Sequence, residues 1–532
     1  MEFFHALGGG ARFNKKRFAQ DVELFSEMAG LLDELDTLPS GSTSSGGEGI
    51  KRRKKSSEVI QKGGNDNGTR LTEAEGDSVP SLVHASQTEI KTYLKSKRIR
   101  TYGDDIPAPL TSFPELTTRY TAKPYLTRNL TEGAFTRPTP IQQQAIPVIL
   151  SGREVMACAP TGSGKTLAFA CPILHALGDP QKVGYRAIIV SPTRELAQQI
   201  YGVFKALSKG KKFKICMLTK ATASTQANNP KLREKFDILI TTPLRLVHGI
   251  QHSEVDLSGV EYLVLDEADK LLEAGFVEQM DEILAACSNP KLQKMLFSAT
   301  LPSGVESLAS TIMKDPIRVV VGEKNAATDL IEQKLIYVGQ EEGKLVGIRQ
   351  MVQEGFQPPV LIFVQSIDRA KTLFNELIYD GINVDVIHAE RTKAQRDNIV
   401  ESFKAGRIWV LIATELMARG VDFKGVNLVI NYDFPQSVQS YIHRIGRTGR
   451  AGRKGKAVTF FTKDDAEYLK SVVNVMRESG CTVPEWMLKL KKPSQNARNK
   501  MKKRPIARKD ISTVSAYDKR KTAHKRSGFS ME

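Results

Sequence analysis

The chain has 532 residues, 40% of them hydrophobic and 26% charged, with a formal net charge of +18. This length predicts two to four structural units, and the composition excludes fibrous and wholly disordered proteins. Apolar runs such as Ala187–Val190 and Val410–Ala413 are strand-sized, far short of the roughly 20 residues that cross a bilayer. We therefore expect no membrane segment, and the N-terminus shows no secretory pattern.

Much of the positive charge lies at the C-terminus. Residues 491–532 contain 14 Lys and Arg and 3 Asp and Glu, a net charge of +11. Such a patch indicates a polyanionic partner, most often nucleic acid. A solvated tail that only aids solubility is the alternative. The five cysteines are scattered without a CxxC pair, which favours a reducing compartment over disulfides or a zinc site.

Residues 1–106 are predicted to be a partly disordered N-terminal extension. Apolar residues at helical spacing predict one helix there, at Asp21–Leu35. From Asp36 to Ser81 the chain is rich in Ser, Gly, Asn and charge, and cannot bury enough apolar surface to order itself. This linker contains the basic cluster Lys51–Lys55, which resembles a nuclear-localisation signal.

From residue 107 to residue 488, short β-branched runs alternate with helix-length segments. The predicted strands include Ala187–Ser191, Asp237–Thr241, Tyr262–Asp266, Lys294–Ser298, Val360–Val364, Val384–His388, Val410–Thr414 and Leu428–Tyr432. This alternation predicts α/β domains with parallel sheets covered on both faces. The runs form two series, so we place domains at 107–322 and 331–488, joined by a linker at 323–330. Residues 489–532 are predicted to be a basic disordered tail.

A glycine-rich segment follows the apolar strand Glu154–Cys158 and precedes a helical stretch. It reads Ala159-Pro160-Thr161-Gly162-Ser163-Gly164-Lys165-Thr166. This strand–loop–helix context predicts a phosphate-binding loop, whose glycines let backbone N–H groups point at phosphate oxygens. We expect Lys165 to neutralise the β- and γ-phosphates and Thr166 to offer its hydroxyl to Mg²⁺.

Two adjacent acids lie about one hundred residues further on, in Val264–Asp269. They end a buried strand, at the edge where parallel α/β sheets bind ligands. Asp266 is suited to hold Mg²⁺, and Glu267 to orient and deprotonate an attacking water. Paired acids alone are more often a helix cap or a surface pair, but after a phosphate loop they predict a nucleotide-hydrolysis site.

The tetrapeptide Asp266-Glu267-Ala268-Asp269 is the signature of the DEAD-box RNA helicases, and further segments resemble the other motifs of that family, in order. These segments are Arg137–Gln142 (the Q motif), Pro192–Ala197 and Thr242–Arg245 (RNA contacts), Ser298–Thr300 (coupling), Leu361–Ser366 (motif IV), Ala413–Asp422 (motif V) and His443–Arg450 (motif VI). The resemblance covers residues 113–464. It implies two tandem RecA-like domains that use ATP and Mg²⁺ and act on RNA.

The resemblance also implies roles at the nucleotide. Gln142 would read the adenine edge, with Phe135 or Arg137 packed near the base, and Asp422 would contact the ribose. Arg447 and Arg450 would be arginine fingers that reach the γ-phosphate from the second domain. Hydrolysis would then require the two domains to close around the ligands.

His443 would lie near Asp269 and Ser298 at the domain interface, with Thr300 in the same coupling motif. The RNA contacts implied by the resemblance are made by Pro192, Thr193, Arg194, Thr242, Arg245, Thr414, Arg419 and Gly420. These residue types suit the sugar–phosphate backbone, so they position a strand without reading its bases.

The chain departs from the family's pattern in three loops. Leu244 stands where Gly is frequent, Met217–Ala221 has no Gly-Gly turn, and His388-Ala389-Glu390 replaces His-Gly-Asp. Glycine permits close backbone approach, so these changes affect the expected RNA contacts. The segment His388–Arg391, together with Ala413–Pro435 and Tyr102–Pro109, resembles one branch of the family, which assists small ribosomal subunit assembly in the nucleolus.

That branch implies pre-ribosomal RNA and protein cofactors of ribosome assembly as partners, and a nuclear and nucleolar location. We expect a monomer, although no pattern in the sequence indicates the oligomeric state. An ATP-gated RNA clamp with slow hydrolysis is the alternative function. Intact Glu267, Arg447 and Arg450 favour the hydrolysing helicase, because a pure clamp could lose them. A DNA helicase is disfavoured by the DEAD and Q motifs.

Overall fold

The computed structural model describes residues 84–272, 276–322, 330–414, 425–450 and 453–490, and also Leu82, Phe423, Ile506, Arg508 and Ile511. The predicted helix at Asp21–Leu35 and the basic cluster Lys51–Lys55 lie outside the described residues, as do positions 323–329 of the predicted linker. Within the described part of the chain, no helix is long and apolar enough to span a membrane.

The first domain is built on an eight-stranded sheet. Its strands are β1 (Ile99–Tyr102), β2 (Val155–Cys158), β3 (Ala187–Val190), β4 (Ile215–Met217), β5 (Ile238–Thr241), β6 (Tyr262–Asp266), β7 (Gln293–Ser298) and β8 (Ile317–Val321). The spatial order is β1-β8-β2-β7-β6-β3-β5-β4. All pairings are parallel except that of β1 with β8.

The helices of this domain lie on both faces of the sheet. They are α1 (Gln87–Ser96), α2 (Glu115–Tyr120), α3 (Pro124–Glu132), α4 (Pro140–Leu150), α5 (Lys165–Leu177), α6 (Arg194–Leu207), α7 (Lys220–Asn228), α8 (Pro243–Gln251), α9 (Ala268–Leu271), α10 (Val277–Ala286) and α11 (Ser303–Ile312). Residues of one strand alternate between two apolar cores: Ile189 faces one and Ile188 the other. This explains the unbroken apolar runs, because both faces of each central strand are covered.

The second domain repeats the arrangement with six parallel strands in the order β11-β12-β10-β13-β14-β9. The strands are β9 (Ile331–Tyr337), β10 (Val360–Val364), β11 (Val384–Ile387), β12 (Val410–Thr414), β13 (Leu428–Asn431) and β14 (Gly455–Phe461). The helices are α12 (Glu341–Glu354), α13 (Ile367–Tyr379), α14 (Lys393–Lys404), α15 (Val438–Ile445), α16 (Ala466–Glu478) and α17 (Glu485–Leu488). The predicted α/β class is confirmed, and each predicted strand is found within one residue of its expected bounds.

The structure extends the first domain upstream of the predicted boundary at residue 107. Ser86 and Glu89 form a capping box that starts α1. Strand β1 then pairs with β8, with Ile99 opposite Val321. Leu94 and Ile99 are buried in the domain core. A strand of four residues is too short to show as a pattern in the sequence, so this segment differs from the predicted extension.

The predicted tail at 489–532 also differs from expectation. Ile506, Arg508 and Ile511 lie against the second domain, and the side chain of Arg508 is only 3% exposed. Isolated apolar residues in a basic segment give no periodic signal, so only tertiary contacts reveal that this part of the tail is docked.

We predict that Ile99→Ala lowers the free energy of unfolding of the first domain by about 2–4 kcal/mol, because it leaves a cavity under β1. Denaturant unfolding followed by circular dichroism measures this change. Lys95→Ala, on the exposed face of α1, is the control and is expected to change stability by less than about 0.5 kcal/mol. Equal effects of the two substitutions would show that β1 is not an integral strand.

Candidate nucleotide site and nucleic-acid interface

The glycine-rich loop runs between β2 and α5, as predicted. Gly162 and Gly164 have φ angles of +78° and +87°, a region that favours glycine. The Ala159 N–H donates to the Ser298 carbonyl at 3.1 Å, which ties the loop to the end of β7. The backbone thus curls above the N-terminus of α5 in the form that cradles phosphate.

Lys165 opens α5 and folds back beneath the loop. Its ammonium group donates to the carbonyls of Ala159 and Pro160 at 2.7 and 2.9 Å. Burial lowers the pKa of Lys165, while the nearby Asp266 carboxylate acts against that shift. Backbone carbonyls are weaker partners for an ammonium group than phosphate oxygens. Lys165 can therefore exchange these two carbonyl contacts for contacts with a bound phosphate. Thr166 is the next residue of the same helical turn.

The loop is also joined to the segment that resembles the Q motif. Gln142 lies at the N-terminus of α4, where its Oε1 accepts from the Thr139 N–H at 3.0 Å. Its Nε2 donates to the Gly164 carbonyl at 2.9 Å, and the Thr139 hydroxyl donates to the Ser163 carbonyl at 2.7 Å. Gln142 therefore couples this segment to the phosphate loop through both ends of its amide. Phe135 and Arg137 lie exposed on the approach to α4.

Asp266 and Glu267 follow β6 at the same sheet edge as the loop. Both are buried, and burial, reinforced by the charge of Glu267, raises the pKa of Asp266 to about 7. Glu267 has a left-handed backbone with φ of +51°, which is strained for a side chain of this size. One oxygen of its carboxylate, Oε2, is buried without a hydrogen-bond partner. Buried carboxylates of this kind are suited to a cation or a water that enters with a ligand.

Asp269 joins the two domains. Its Oδ2 lies 3.2 Å from His443 Nε2 on α15 and accepts from the Thr300 hydroxyl at 2.5 Å. Burial opposes ionisation of Asp269, but the His443 side chain and the hydroxyls of Thr300 and Ser298 hold its pKa well below the usual range. All four side chains are at most 2% exposed. The predicted proximity of His443, Asp269 and Ser298 is therefore observed.

Of the two predicted arginine fingers, Arg450 lies against the phosphate loop and Arg447 is held within the second domain. The Arg450 side chain lies over Gly162, with Cγ 3.1 Å from the point that a Cβ on residue 162 would occupy. The Thr161 hydroxyl donates to the Gly446 carbonyl at 3.1 Å. Arg447 is buried, and its Nε donates to the His443 carbonyl at 3.1 Å. Residues more than 280 positions apart in the chain thus form one site.

The predicted RNA contacts of the first domain surround a cleft of about 130 Å³ lined by Arg194, Thr242 and Arg245. Thr193 caps α6 by accepting from the Leu196 N–H at 3.3 Å, and Pro192 precedes it. Arg245 donates to Glu254 at 3.0 Å. Arg194 is exposed, so it can meet a phosphate oxygen. A cleft edged by guanidinium and hydroxyl groups suits the backbone of a nucleic acid.

One of the noted departures has a structural replacement, and a second changes the surface beside the cleft. Where the Gly-Gly turn is missing, Thr219 caps α7 by accepting from the Thr222 N–H at 3.2 Å, and Thr219 lines the cleft. Leu244 is 69% exposed at the start of α8. On the second domain, Thr414 ends β12 and is buried. Arg419, Gly420 and Asp422 lie outside the described residues.

One interdomain contact was not foreseen. Arg396 on α14 lies 3.2 Å from the Glu195 carboxylate on α6. Glu195 follows directly on the residues predicted to contact RNA. Single charged residues on two separate helices carry no sequence signal that they will pair.

Comparisons with known proteins decide the family. The family model described as "DEAD/DEAH box helicase" matches residues 139–308, and the model described as "Helicase conserved C-terminal domain" matches residues 343–452. ATP-dependent RNA helicase ROK1 of Lodderomyces elongisporus is 47% identical over 537 residues, covering 98% of this chain and 96% of that protein. The chain belongs to the DEAD-box ATP-dependent RNA helicases.

Two further likenesses support this membership of a family of RNA-dependent ATPases. The ddx52 protein of Dictyostelium discoideum is 54% identical over 426 residues, which span 80% of this helicase and 64% of that longer protein. The solved structure of S. cerevisiae Dbp5 bound to RNA and ADP BeF3 is similar with a TM-score of 0.62 and 28% identity. The matched region covers 70% of this chain and 95% of the Dbp5 chain. The predicted tandem RecA-like fold is thereby confirmed.

We predict that Lys165→Ala reduces ATP hydrolysis to less than about a tenth of the wild-type rate, since no other cation of the loop could meet the β- and γ-phosphates. A steady-state ATPase assay at saturating RNA measures this loss. Lys205→Ala, on the exposed face of α6, is the matched control and should retain full activity. Turnover by Lys165→Ala above a tenth would contradict the assigned role.

Proposed function

We propose that this helicase is an RNA-stimulated ATPase that remodels short RNA duplexes by closing its two domains on ATP and RNA. One observation carries this proposal: the second domain contacts the phosphate loop through Gly446 and Arg450, and contacts Asp269 of the acidic motif through His443. Neither half holds a complete set of hydrolytic groups, so activity depends on closure. RNA that binds both domains favours the closed form and thereby accelerates hydrolysis.

The residues present fit Mg²⁺–ATP. The loop offers backbone N–H groups and Lys165, and two buried polar atoms in the site, Ser163 Oγ and Glu267 Oε2, have no protein partner. We assign Thr166 and Asp266 to hold Mg²⁺, which when bound neutralises phosphate charge. Because the pKa of Asp266 is about 7 without a cation, its ionised form is lost as the pH falls below that value. Metal binding should weaken accordingly.

Base recognition is assigned to the Q-motif segment. Gln142 would exchange its contacts with Thr139 and Gly164 for the adenine edge, and Phe135 or Arg137 would pack near the base. Such an exchange would signal nucleotide binding directly to the phosphate loop, because Gln142 Nε2 donates to the Gly164 carbonyl of that loop. Asp422 is assigned to the ribose.

The hydrolytic step is assigned to side chains on both sides of the interface. Glu267 orients the attacking water and accepts its proton. Arg447 and Arg450 place positive charge where the transferred phosphoryl group gains negative charge, which in other nucleotide hydrolases is worth roughly 10³–10⁵ in rate. The contact of Asp269 with Thr300 and His443 transmits closure between the acidic motif and the second domain.

RNA is assigned to the cleft between α6 and α8 and to the end of β12. Pro192, Thr193, Arg194, Thr242, Arg245 and Thr414 contact the sugar–phosphate backbone there, together with Arg419 and Gly420. Backbone contacts do not select a sequence. Target choice is therefore left to flanking segments and to protein cofactors.

We further propose that the physiological substrate is pre-ribosomal RNA and that the protein acts as a monomer in the nucleolus. Support comes from the likeness of His388–Arg391 and Tyr102–Pro109 to the small-subunit branch, and from the basic segment at 491–532. Crosslinking the protein to RNA in cells, followed by sequencing of the bound RNA, tests the substrate directly. Recovery of mainly messenger RNA would contradict it.

The central test compares wild type with Glu267→Gln. We expect RNA to stimulate wild-type ATPase, and Glu267→Gln to lower the stimulated rate by at least about 100-fold while ATP-dependent RNA binding persists. Glu278→Gln, at an exposed position on α10, is the control. No stimulation by RNA would favour the clamp over the helicase, and equal stimulation by DNA would remove the RNA assignment.

The C-terminal charge gives a salt-dependence prediction. Residues 512–532 contain five Lys and Arg, and their removal leaves the docked Arg508 in place. We expect weaker RNA binding and a shallower plot of log K against log salt, by about 0.7 for each RNA phosphate that is no longer neutralised. Replacing the five basic residues by Gln in the full chain should reproduce the effect. An unchanged slope would show that this segment does not bind RNA.

A further inference from the structure

Arg508 lies beyond the two segments that match the helicase family, which end at residue 452. Even so, its side chain is among the most buried charges of the second domain. Its Nη2 donates to Asp465 Oδ1 at 2.6 Å and its Nε to Gln365 Oε1 at 3.0 Å. Gln365 in turn donates through Nε2 to the Ile506 carbonyl at 2.9 Å. The C-terminal segment is therefore held by polar contacts at the carboxyl edge of the sheet, where β10 and β14 end.

The contacts of Arg508 belong to a larger group, which we call the Asp433 cluster. Its members are Lys344, Arg369, Arg508, Glu341, Asp433 and Asp465. Asp433 accepts from Lys344 Nζ at 3.1 Å and from Arg369 Nε at 2.8 Å, and Arg508 Nε lies 3.6 Å from its Oδ1. Lys344 also lies 2.9 Å from Glu341. The side chains of Lys344, Asp433 and Asp465 are fully buried.

The docked tail supplies one of the side-chain cations that pair with the carboxylates of the Asp433 cluster. Three cations, Lys344, Arg369 and Arg508, face three carboxylates. Burial disfavours ionised Asp433, but Lys344, Arg369 and Arg508 together hold its pKa well below the usual range. Removing Arg508 would leave the buried Asp465 carboxylate without the cation that it pairs with, and would leave Asp433 with Lys344 and Arg369. An uncompensated buried charge is strongly unfavourable, so the cluster would rearrange or admit water.

Asp433 is also connected to the arginine fingers. Its backbone carbonyl accepts from Arg444 Nη1 at 2.7 Å. Arg444 lies on α15, one residue after His443, and Arg447 follows the end of that helix with its Nε bonded to the His443 carbonyl. Asp433 is thus linked by one hydrogen bond to the helix that precedes the finger residues.

We propose that Arg508 is a positioning residue for ATP hydrolysis. It neutralises the Asp433 cluster, and the cluster fixes α15 so that Arg447 and Arg450 are aimed at the phosphate loop. The segment that follows the helicase core is then a working part of the second domain. This inference rests on the proposed RNA-stimulated ATPase, because positioning has an effect only if the fingers act in hydrolysis.

A purely structural role and a positioning role have different kinetic signatures. The groups assigned to bind ATP before closure come from the first domain, so replacement of Arg508 should leave KM for ATP within about 2-fold. Misdirected fingers should instead lower kcat, and a displacement of about 1 Å is enough to cost 10-fold or more. Reduced stability alone would change neither value at a temperature where the protein is folded.

The experiment measures RNA-stimulated ATPase and thermal unfolding for the full chain and for Arg508→Met, Asp465→Asn and the double variant. Arg508→Met removes the positive charge but keeps an unbranched apolar chain. We expect kcat to fall by about 10-fold, with KM for ATP nearly unchanged. The double variant restores neutrality, so it should recover at least half of that decrease on a logarithmic scale. Arg477→Met, exposed on α16, is the matched control.

Two results would overturn the assignment: a kcat for Arg508→Met within about 2-fold of wild type, or no recovery in the double variant. If Arg508→Met does not fold, the double variant decides. A double variant that folds and has a kcat near that of wild type supports the role of Arg508 in neutralising the cluster. A double variant that fails to fold refutes that role. Absence of RNA-stimulated hydrolysis in wild type would instead count against the proposed function, which separates the two failures.

Discussion

The approach of Arg450 to Gly162 is the contact on which the rest of the site depends. A Cβ at position 162 would lie 3.1 Å from Arg450 Cγ, a tight contact, and the φ of +78° there already favours glycine. The same glycine that lets the loop curl around phosphate therefore lets the second domain reach it. Because hydrolysis needs charge from both domains, the chemistry becomes sensitive to anything that brings them together, RNA included.

The two sides of the interface solve the problem of buried charge differently. At the nucleotide site, Asp266 and Glu267 are buried with incomplete pairing, which raises the pKa of Asp266 and leaves Glu267 Oε2 without a partner. Ionisation of both carboxylates is unfavourable in such a site until a cation and the substrate bind. The Asp433 cluster is fully paired and supplies rigidity behind the arginine fingers. The first domain thus contributes incompletely paired acids to the site, and the second domain contributes a paired cluster behind the arginine fingers.

The departures from the family's usual loops fall on the RNA side and spare the nucleotide side. Capping of α7 by Thr219 keeps an ordered helix start where a glycine turn is usual. Leu244 adds an exposed apolar side chain beside Thr242 and Arg245. These changes alter the shape that a strand meets in the cleft, while hydrogen bonds among Thr139, Gln142 and Gly164 join the segment that resembles the Q motif to the phosphate loop.

The sequence by itself determined the α/β class, the strands and the chemistry of the nucleotide site. Apolar runs of strand length and a glycine-rich loop before a helix are local patterns, which can be recognised from consecutive residues of the sequence. Tertiary structure alone decided that β1 joins the first sheet, that Glu195 meets Arg396, and that Arg508 completes a buried cluster. Each of these depends on single residues far apart in the chain. Their pairing depends on how distant segments pack in the folded chain, and hydrophobic periodicity in the sequence does not indicate that packing.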